Sequence, residues 1–171
     1  MSASEPWLDT PQLRLRTLLE RLTEAEVDFV VVGGVAVITQ ASPRFTKDLD
    51  ICYAHEPANL QRLGAALVGL GARLRGVEED LPFVPDGRTL LRTQMLTLTT
   101  PDGAIDLLAN PDGSPGYAAL RRNASRVDLD GLTVLVASID DLIAMKRAAG
   151  RPQDLVDLES LEIARRRTHG K

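Results

Sequence analysis

Hydrophobic positions recur along this chain in two rhythms, and their alternation predicts an α+β protein. Leu13, Leu15, Leu18, Leu19 and Leu22 form a roughly helical stripe behind Thr10-Pro11, a capping residue followed by the proline favoured at a first helical position. A helix from Pro11 to Glu24 is therefore expected. Asp28 to Val32 reads as a strand. Val35 to Gln40 reads as a short helix opened by Gly33-Gly34 and broken by Ala41-Ser42-Pro43. Lys47 to Tyr53 alternates polar and apolar residues, as a strand does. Leu60, Leu63, Leu67 and Leu70 return to helical spacing between Pro57 and Gly71.

The second half repeats the strand rhythm. Thr93 to Thr100 and Ala104 to Leu108 flank Pro101-Asp102-Gly103, a turn suited to a hairpin, and Arg126 to Asp130 and Leu132 to Ala137 flank Asp130-Gly131. Two helices then close the chain on either side of Gly150-Arg151-Pro152. The pattern predicts one domain over residues 1–171, with a mixed α/β core over residues 25–137 and a C-terminal helical pair over residues 138–167. No internal repeat, low-complexity tract or linker interrupts it.

Chemistry enters where the strand rhythm meets charge. In a strand from Lys47 to Tyr53, Asp48 and Asp50 share one face while Leu49 and Ile51 take the other. Two carboxylates about 5 Å apart repel by about 3 kcal/mol at an effective dielectric near 20, a cost usually offset by a cation. For acidic oxygen donors that cation is magnesium, which keeps waters and completes its shell with a substrate's phosphates. The pair also reads as turn or capping residues after Thr46, because a lone D-x-D is weak. Asp106, between Ile105 and Leu107, is costly in a buried strand unless paired or metal-bound. An edge-strand or turn position explains it equally well.

The last two helices add an independent signal. Ser138 to Asp141 resembles a capping box, and Ile139, Leu142, Ile143, Met145 and Ala149 form one apolar arc with Lys146 in its middle. A lysine there projects into a cleft or toward a carboxylate, or else snorkels at the helix edge. The chain has seventeen arginines but only three lysines, Lys47, Lys146 and Lys171, so two of the three lie at candidate site positions. Asp154 shares a face with Leu158 and Leu161 and either pairs with Lys146 or, like Asp157, favours the helix dipole. Arg151 either binds phosphate or caps the preceding helix.

Bulk properties narrow the class without choosing within it. With 171 residues, 44% of them hydrophobic, the chain can bury one good core, and a formal net charge of −4 confines any nucleic-acid contact to local basic patches. Arg121, Arg122 and Arg126, and the run from Arg165 to Arg167, are the candidates. Cys52 is the single cysteine, so no internal disulfide is possible. The longest apolar run, Phe29 to Ile38, falls short of the ~20 residues of a membrane span, and nothing at the N-terminus reads as a secretory signal. A soluble cytoplasmic protein with no membrane partner is expected.

Taken together, Gly33-Gly34, the spacer, Arg44-x-Thr46-x-Asp48-x-Asp50, and Lys146-x(4)-Arg151-x(2)-Asp154-x(2)-Asp157 resemble the minimal nucleotidyltransferases of the DNA polymerase β superfamily. The pattern is most similar to the AbiEii-type and MenT-type toxins of bacterial toxin-antitoxin systems, and it extends from Asp28 to Leu161. The resemblance implies a nucleotidyltransferase-like mixed sheet flanked by helices. It implies transfer of a nucleoside monophosphate from an NTP to an acceptor hydroxyl at the tRNA 3′ end, with a cognate antitoxin protein as partner. By the same resemblance Asp48, Asp50 and Asp106 bind magnesium, or manganese in its place. Gly33, Gly34, Thr46, Lys146 and Arg151 bind the nucleotide, and Lys146 and Asp154 join the two paired acids in catalysis. Many relatives have Gly-Ser where this chain has Gly33-Gly34, which removes a hydroxyl donor to the phosphates. Transfer to a protein hydroxyl is a second enzymatic reading. A catalytically silent binding module is a third, disfavoured because a silent copy has no need to keep repelling acids together.

Overall fold

Phe29–Val32 carries no polar side chain, and all four residues are buried, as expected of a strand covered on both faces. It lies within the sheet of a computed structural model that describes residues 11–77 and 85–170. The element order is α1 (Leu15–Glu24), β1 (Phe29–Val32), α2 (Gly33–Gln40), β2 (Asp48–Tyr53), α3 (Pro57–Gly69), β3 (Arg73–Leu74), α4 (Gly87–Arg92) and β4 (Met95–Thr100). It continues through β5 (Gly103–Leu108), α5 (Tyr117–Asn123), β6 (Ser125–Leu129), β7 (Leu132–Val136), α6 (Ile139–Ala149) and α7 (Pro152–His169).

The strands form one mixed sheet in the order β3-β4-β5-β2-β1-β7-β6. Both predicted hairpins are present as antiparallel pairs, β4 with β5 and β6 with β7. β2 runs antiparallel to β1 but parallel to β5, so the two strands that carry the candidate acids are neighbours. α2 touches β2, α6 and α7, and α3 touches α1 and α4. The fully buried Leu18, Leu19 and Leu22 of α1 and Leu63 and Leu67 of α3 join Val30, Val31, Leu49, Ile51, Ile105 and Leu107 in one core. Asn59, also fully buried, pins α3 to the sheet: its side chain accepts from the Asp28 amide at 2.7 Å and donates to the Ala54 carbonyl at 2.8 Å.

Several boundaries depart from the sequence reading. α1 begins at Leu15, not Pro11, because the preceding segment is tied to the β4–β5 turn: the Arg14 amide donates to the Asp102 carbonyl at 2.8 Å. Thr10, the expected cap, lies outside the described residues. α2 starts at Gly33 itself, two residues early, with Gly33 at a φ of +66°. β3, α4 and α5 had no prediction; they are two, six and seven residues long, too short for periodicity to register. Among the described residues no helix is long and apolar enough to cross a membrane.

Candidate active site

The alternation of β2 is realised as the sequence implies. Leu49 and Ile51 are fully buried on one face, and Asp48 and Asp50 are half-buried on the other. Asp106 is the register partner of Asp50 across the parallel β2–β5 pair, which puts its side chain on the same face. One oxygen from each of Asp48, Asp50 and Asp106 lies within 4.8 Å of the others. The acid at position 106 is thus not an edge or turn residue; β5 is flanked by β4 and β2, and Asp106 is buried.

Asp50 bears the strain of this arrangement. Burial, then the charges of Asp48 and Asp106 and a hydrogen bond with Asp106, push its carboxyl up to about 8, and its buried Oδ1 has no hydrogen-bond partner among the described residues. Burial raises Asp106 as well, opposed by Arg75, whose Nη2 lies 2.7 Å from Asp106 Oδ1. An orphaned buried oxygen beside two further carboxylates is the donor set of a hard divalent cation, so the residues present fit such a group.

Glycine is required where the chain leaves β1. A Cβ on Gly33 would collide with Asp50 Oδ2, and one on Gly34 would come within 2.8 Å of Arg44 Nη2 and 2.9 Å of Thr46 Oγ1. The two glycines therefore let Asp50 and the Arg44–Thr46 loop approach the start of α2, where the first amides of a helix lack an intrahelical partner. Thr46 Oγ1 donates weakly to the Asp48 carbonyl at 3.4 Å, shaping the turn into β2.

A second cluster faces the first. Lys146 is buried within α6, and its Nζ contacts Asp154 Oδ1 at 2.9 Å and Asp157 Oδ2 at 3.0 Å. Arg44 closes on Asp157 through Nε at 2.8 Å and Nη2 at 3.0 Å. Arg151 is the N-cap of α7, not a C-terminal cap of α6, and both its amide and its Nε donate to Asp154 Oδ2, at 3.0 and 2.9 Å. Burial presses both carboxyls upward, but Arg151 and Lys146 hold Asp154, and Arg44, Lys146 and Gln153 hold Asp157, below the usual carboxylate range. The clusters sense each other: Lys146 draws Asp50 downward, and Asp50 and Asp48 help Arg151 retain its proton.

Between them lies a cavity of about 700 Å³, within the usual range for small-molecule sites. The residues that the resemblance assigns to metal, nucleotide or catalysis border it: Gly33, Gly34, Thr46, Asp48, Asp50, Asp106, Lys146, Arg151 and Asp154. Three others were not singled out for a role from the sequence. Arg75 gave no local signal, while Arg44 and Asp157 entered only as parts of the motif, Asp157 also reading as an acid that the helix dipole favours. The distribution of cations was the available clue, since two buried acids on one face of α7 require more than one partner.

The sequence model of the family described as nucleotidyl transferase AbiEii toxin, Type IV TA system, matches residues 17–162. No curated protein sequence matches significantly. Among solved structures, the lincosamide antibiotic adenylyltransferase LnuA, bound to lincomycin, superposes with a TM-score of 0.61 at 16% identity, covering 90% of this chain and 98% of its own. ANT(2")-Ia in complex with adenylyl-2"-tobramycin gives 0.53 at 16% identity, covering 91% and 95%. An antigenic nucleotidyltransferase-like protein from Paracoccidioides brasiliensis gives 0.52 at 17% identity, covering 85% and 72%. At these identities the structures show a shared fold alone, whereas the family match spans most of the chain. The chain belongs to the AbiEii nucleotidyl transferase toxin family and is a nucleotidyltransferase.

Proposed function

We propose that this protein transfers a nucleoside monophosphate from an NTP to a hydroxyl at the 3′ end of tRNA, as the toxin of a toxin-antitoxin pair. The observation that carries the reading is the convergence on one cavity of three carboxylates, with an orphaned Asp50 oxygen, and the glycine-opened start of α2. Asp48, Asp50 and Asp106 are the residues that would hold divalent metal, magnesium or manganese. Such ions, when bound, neutralise phosphate charge and make a hydroxyl a better nucleophile at neutral pH.

The remaining work falls to the chain's own groups. The Gly33 and Gly34 amides, at the N-terminus of α2, attract the triphosphate, and the missing side chains allow its oxygens to come close. Thr46 holds the loop that leads to Asp48. An ammonium has three donors, and Asp154 and Asp157 occupy two on Lys146, which leaves one for a phosphate oxygen. Arg151 borders the same cavity with its side chain largely exposed, in reach of a phosphate. Asp154 acts through both cations, fixing them before substrate arrives, as electrostatic preorganisation requires.

The family's toxin-antitoxin description supports a cognate antitoxin as the regulatory partner. For the acceptor, exposed Arg122, Arg126, Arg166 and Arg167 supply regional positive charge, while Arg121 and Arg165 are engaged with Asp28 and Asp140 at 3.8 and 3.7 Å. The test is transfer from each α-labelled NTP, with magnesium, to purified tRNA and separately to a cell lysate, comparing wild type with Asp48→Ala. Label on tRNA that disappears in the variant is the expected result. Label on protein alone moves the acceptor to a protein hydroxyl, and transfer retained by Asp48→Ala overturns the metal assignment.

A further inference from the structure

A single row of residues crosses the sheet through the acid cluster. Val32 is the register partner of Asp50, Asp50 of Asp106, and Asp106 of Thr97, and the Arg75 amide donates to the Thr97 carbonyl at 3.0 Å. Partners directly opposite one another project to the same face, so Arg75, Thr97, Asp106 and Asp50 line up side by side. Strands lie about 4.8 Å apart, which puts the Arg75 backbone about 10 Å from that of Asp106, with Thr97 between. An extended arginine spans that distance, and a threonine is small enough for it to cross.

The crossing is anchored twice. Arg75 Nη2 donates to Asp106 Oδ1 at 2.7 Å and to the Leu98 carbonyl at 2.8 Å. A cation present only to balance charge needs no carbonyl anchor, and an exposed ion pair would be worth little. Here the Asp106 side chain is 11% exposed, and its rotation is restrained by a planar donor group that is itself held in place.

We propose that Arg75 is a positioning residue for the divalent metal: it engages Asp106 Oδ1 and thereby presents the other oxygen, Oδ2, as the third acid's single ligand atom. The inference rests on the reading that Asp48, Asp50 and Asp106 bind metal. Arg75 touches neither metal nor substrate in this role. It fixes the angle at which a first ligand is offered, as partners of metal ligands commonly do.

The experiment measures Mn²⁺ binding to the full chain by electron paramagnetic resonance of the free ion, with no nucleotide present, for wild type, Arg75→Ala and Arg75→Lys. Arg75→Ala is expected to weaken Mn²⁺ binding by about 10–100-fold. The magnesium concentration for half-maximal transfer should rise in parallel, while kcat at saturating metal stays within a few-fold. Arg75→Lys, which keeps the charge and the donors on a shorter side chain without the planar guanidinium, should recover part of the loss. Unchanged or tighter Mn²⁺ binding in Arg75→Ala overturns the proposal, because the arginine is then a bystander or a competing cation. If wild type binds no Mn²⁺, the metal reading itself fails and takes the proposal with it. Should Arg75→Ala not fold, Thr97→Leu keeps the arginine but obstructs its path, and the same weakening is expected; normal binding by that variant overturns the proposal.

Discussion

Two acid clusters border one cavity, and the protein treats them in opposite ways. In the sheet, Asp50 and Asp106 are pushed up by burial, and Asp50 further by its acidic neighbours; in the helices, Asp154 and Asp157 are held down by Lys146, Arg151 and Arg44. The number of carboxylates does not explain the contrast. The helical pair is shared among three cations, while Asp50 has a buried oxygen with no hydrogen-bond partner among the described residues. A cluster satisfied from within is structural scaffolding for the charges it contains, and a cluster left short of positive charge is poised to take it from outside.

The largest expected effect breaks the unsatisfied side. Asp50→Asn removes a proposed metal ligand, so NMP transfer should fall by roughly 10³-fold or more, equivalent to about 4 kcal/mol of transition-state stabilisation. Its thermal midpoint without metal at pH 8 should be no lower than wild type, since a repelled charge is gone. A variant that unfolds while wild type does not would show that Asp50 is structural after all.

Lys146→Met reverses the pattern. It leaves Asp154 and Asp157 buried with fewer partners, and breaking such a pair typically costs 3–5 kcal/mol; the surviving Arg44 and Arg151 contacts place the loss near the low end, at about 3 kcal/mol. Urea unfolding followed by circular dichroism measures it. A loss below about 1 kcal/mol would mean that the lysine is retained for the nucleotide rather than for the helical pair.

The contrast between the clusters also marks what the sequence could reveal. Asp48 and Asp50 were legible because strand periodicity is local, and Lys146 because a charge in an apolar arc is anomalous within a single helix. Asp106 was readable as an acid in need of a partner, but its register opposite Asp50 depends on which edge of β2 the second hairpin joins, a tertiary choice. Arg75 follows a two-residue strand and acts across 31 residues of sequence, so no window contains its reason. Asp157 resembles a dipole-stabilising acid until Arg44, 113 residues away, is brought to it. α1 starts at Leu15 for a similar cause, a tie between Arg14 and a distant turn.

Acidity gives a graded way to sharpen the comparison. Asp50 has a folded pKa of about 8, above the unfolded value near 4, so the folded chain binds the extra proton between those limits. Its contribution to stability is complete below the unfolded pKa and is lost as pH rises through the folded one, at most about 1.4 kcal/mol per pH unit for a single proton. Asp154 and Asp157, with lowered pKa, act in the opposite direction: their contribution is present above the unfolded value and lost as pH falls through the folded one. Without metal, denaturant stability should therefore decline between pH 5 and 8 in wild type and decline less in Asp50→Asn. Saturating magnesium should flatten the wild-type slope, because metal replaces the proton. A slope indifferent to both changes would remove Asp50 as its source.

The smallest effect concerns Arg151, which belongs to both clusters' surroundings. Its side chain is 75% exposed, and Asp154 keeps Lys146 and the Arg151 backbone amide when the guanidinium is removed. Arg151→Ala should therefore cost less than about 1 kcal/mol of stability, as exposed ion pairs generally do. If the guanidinium also meets a phosphate, KM for the NTP should rise by about fivefold, a change of about 1 kcal/mol, with kcat little affected. Steady-state kinetics beside urea unfolding separates the two roles. A stability loss with unchanged KM would confine Arg151 to the N-cap of α7, and the phosphate would then depend on Lys146 and the α2 amides alone.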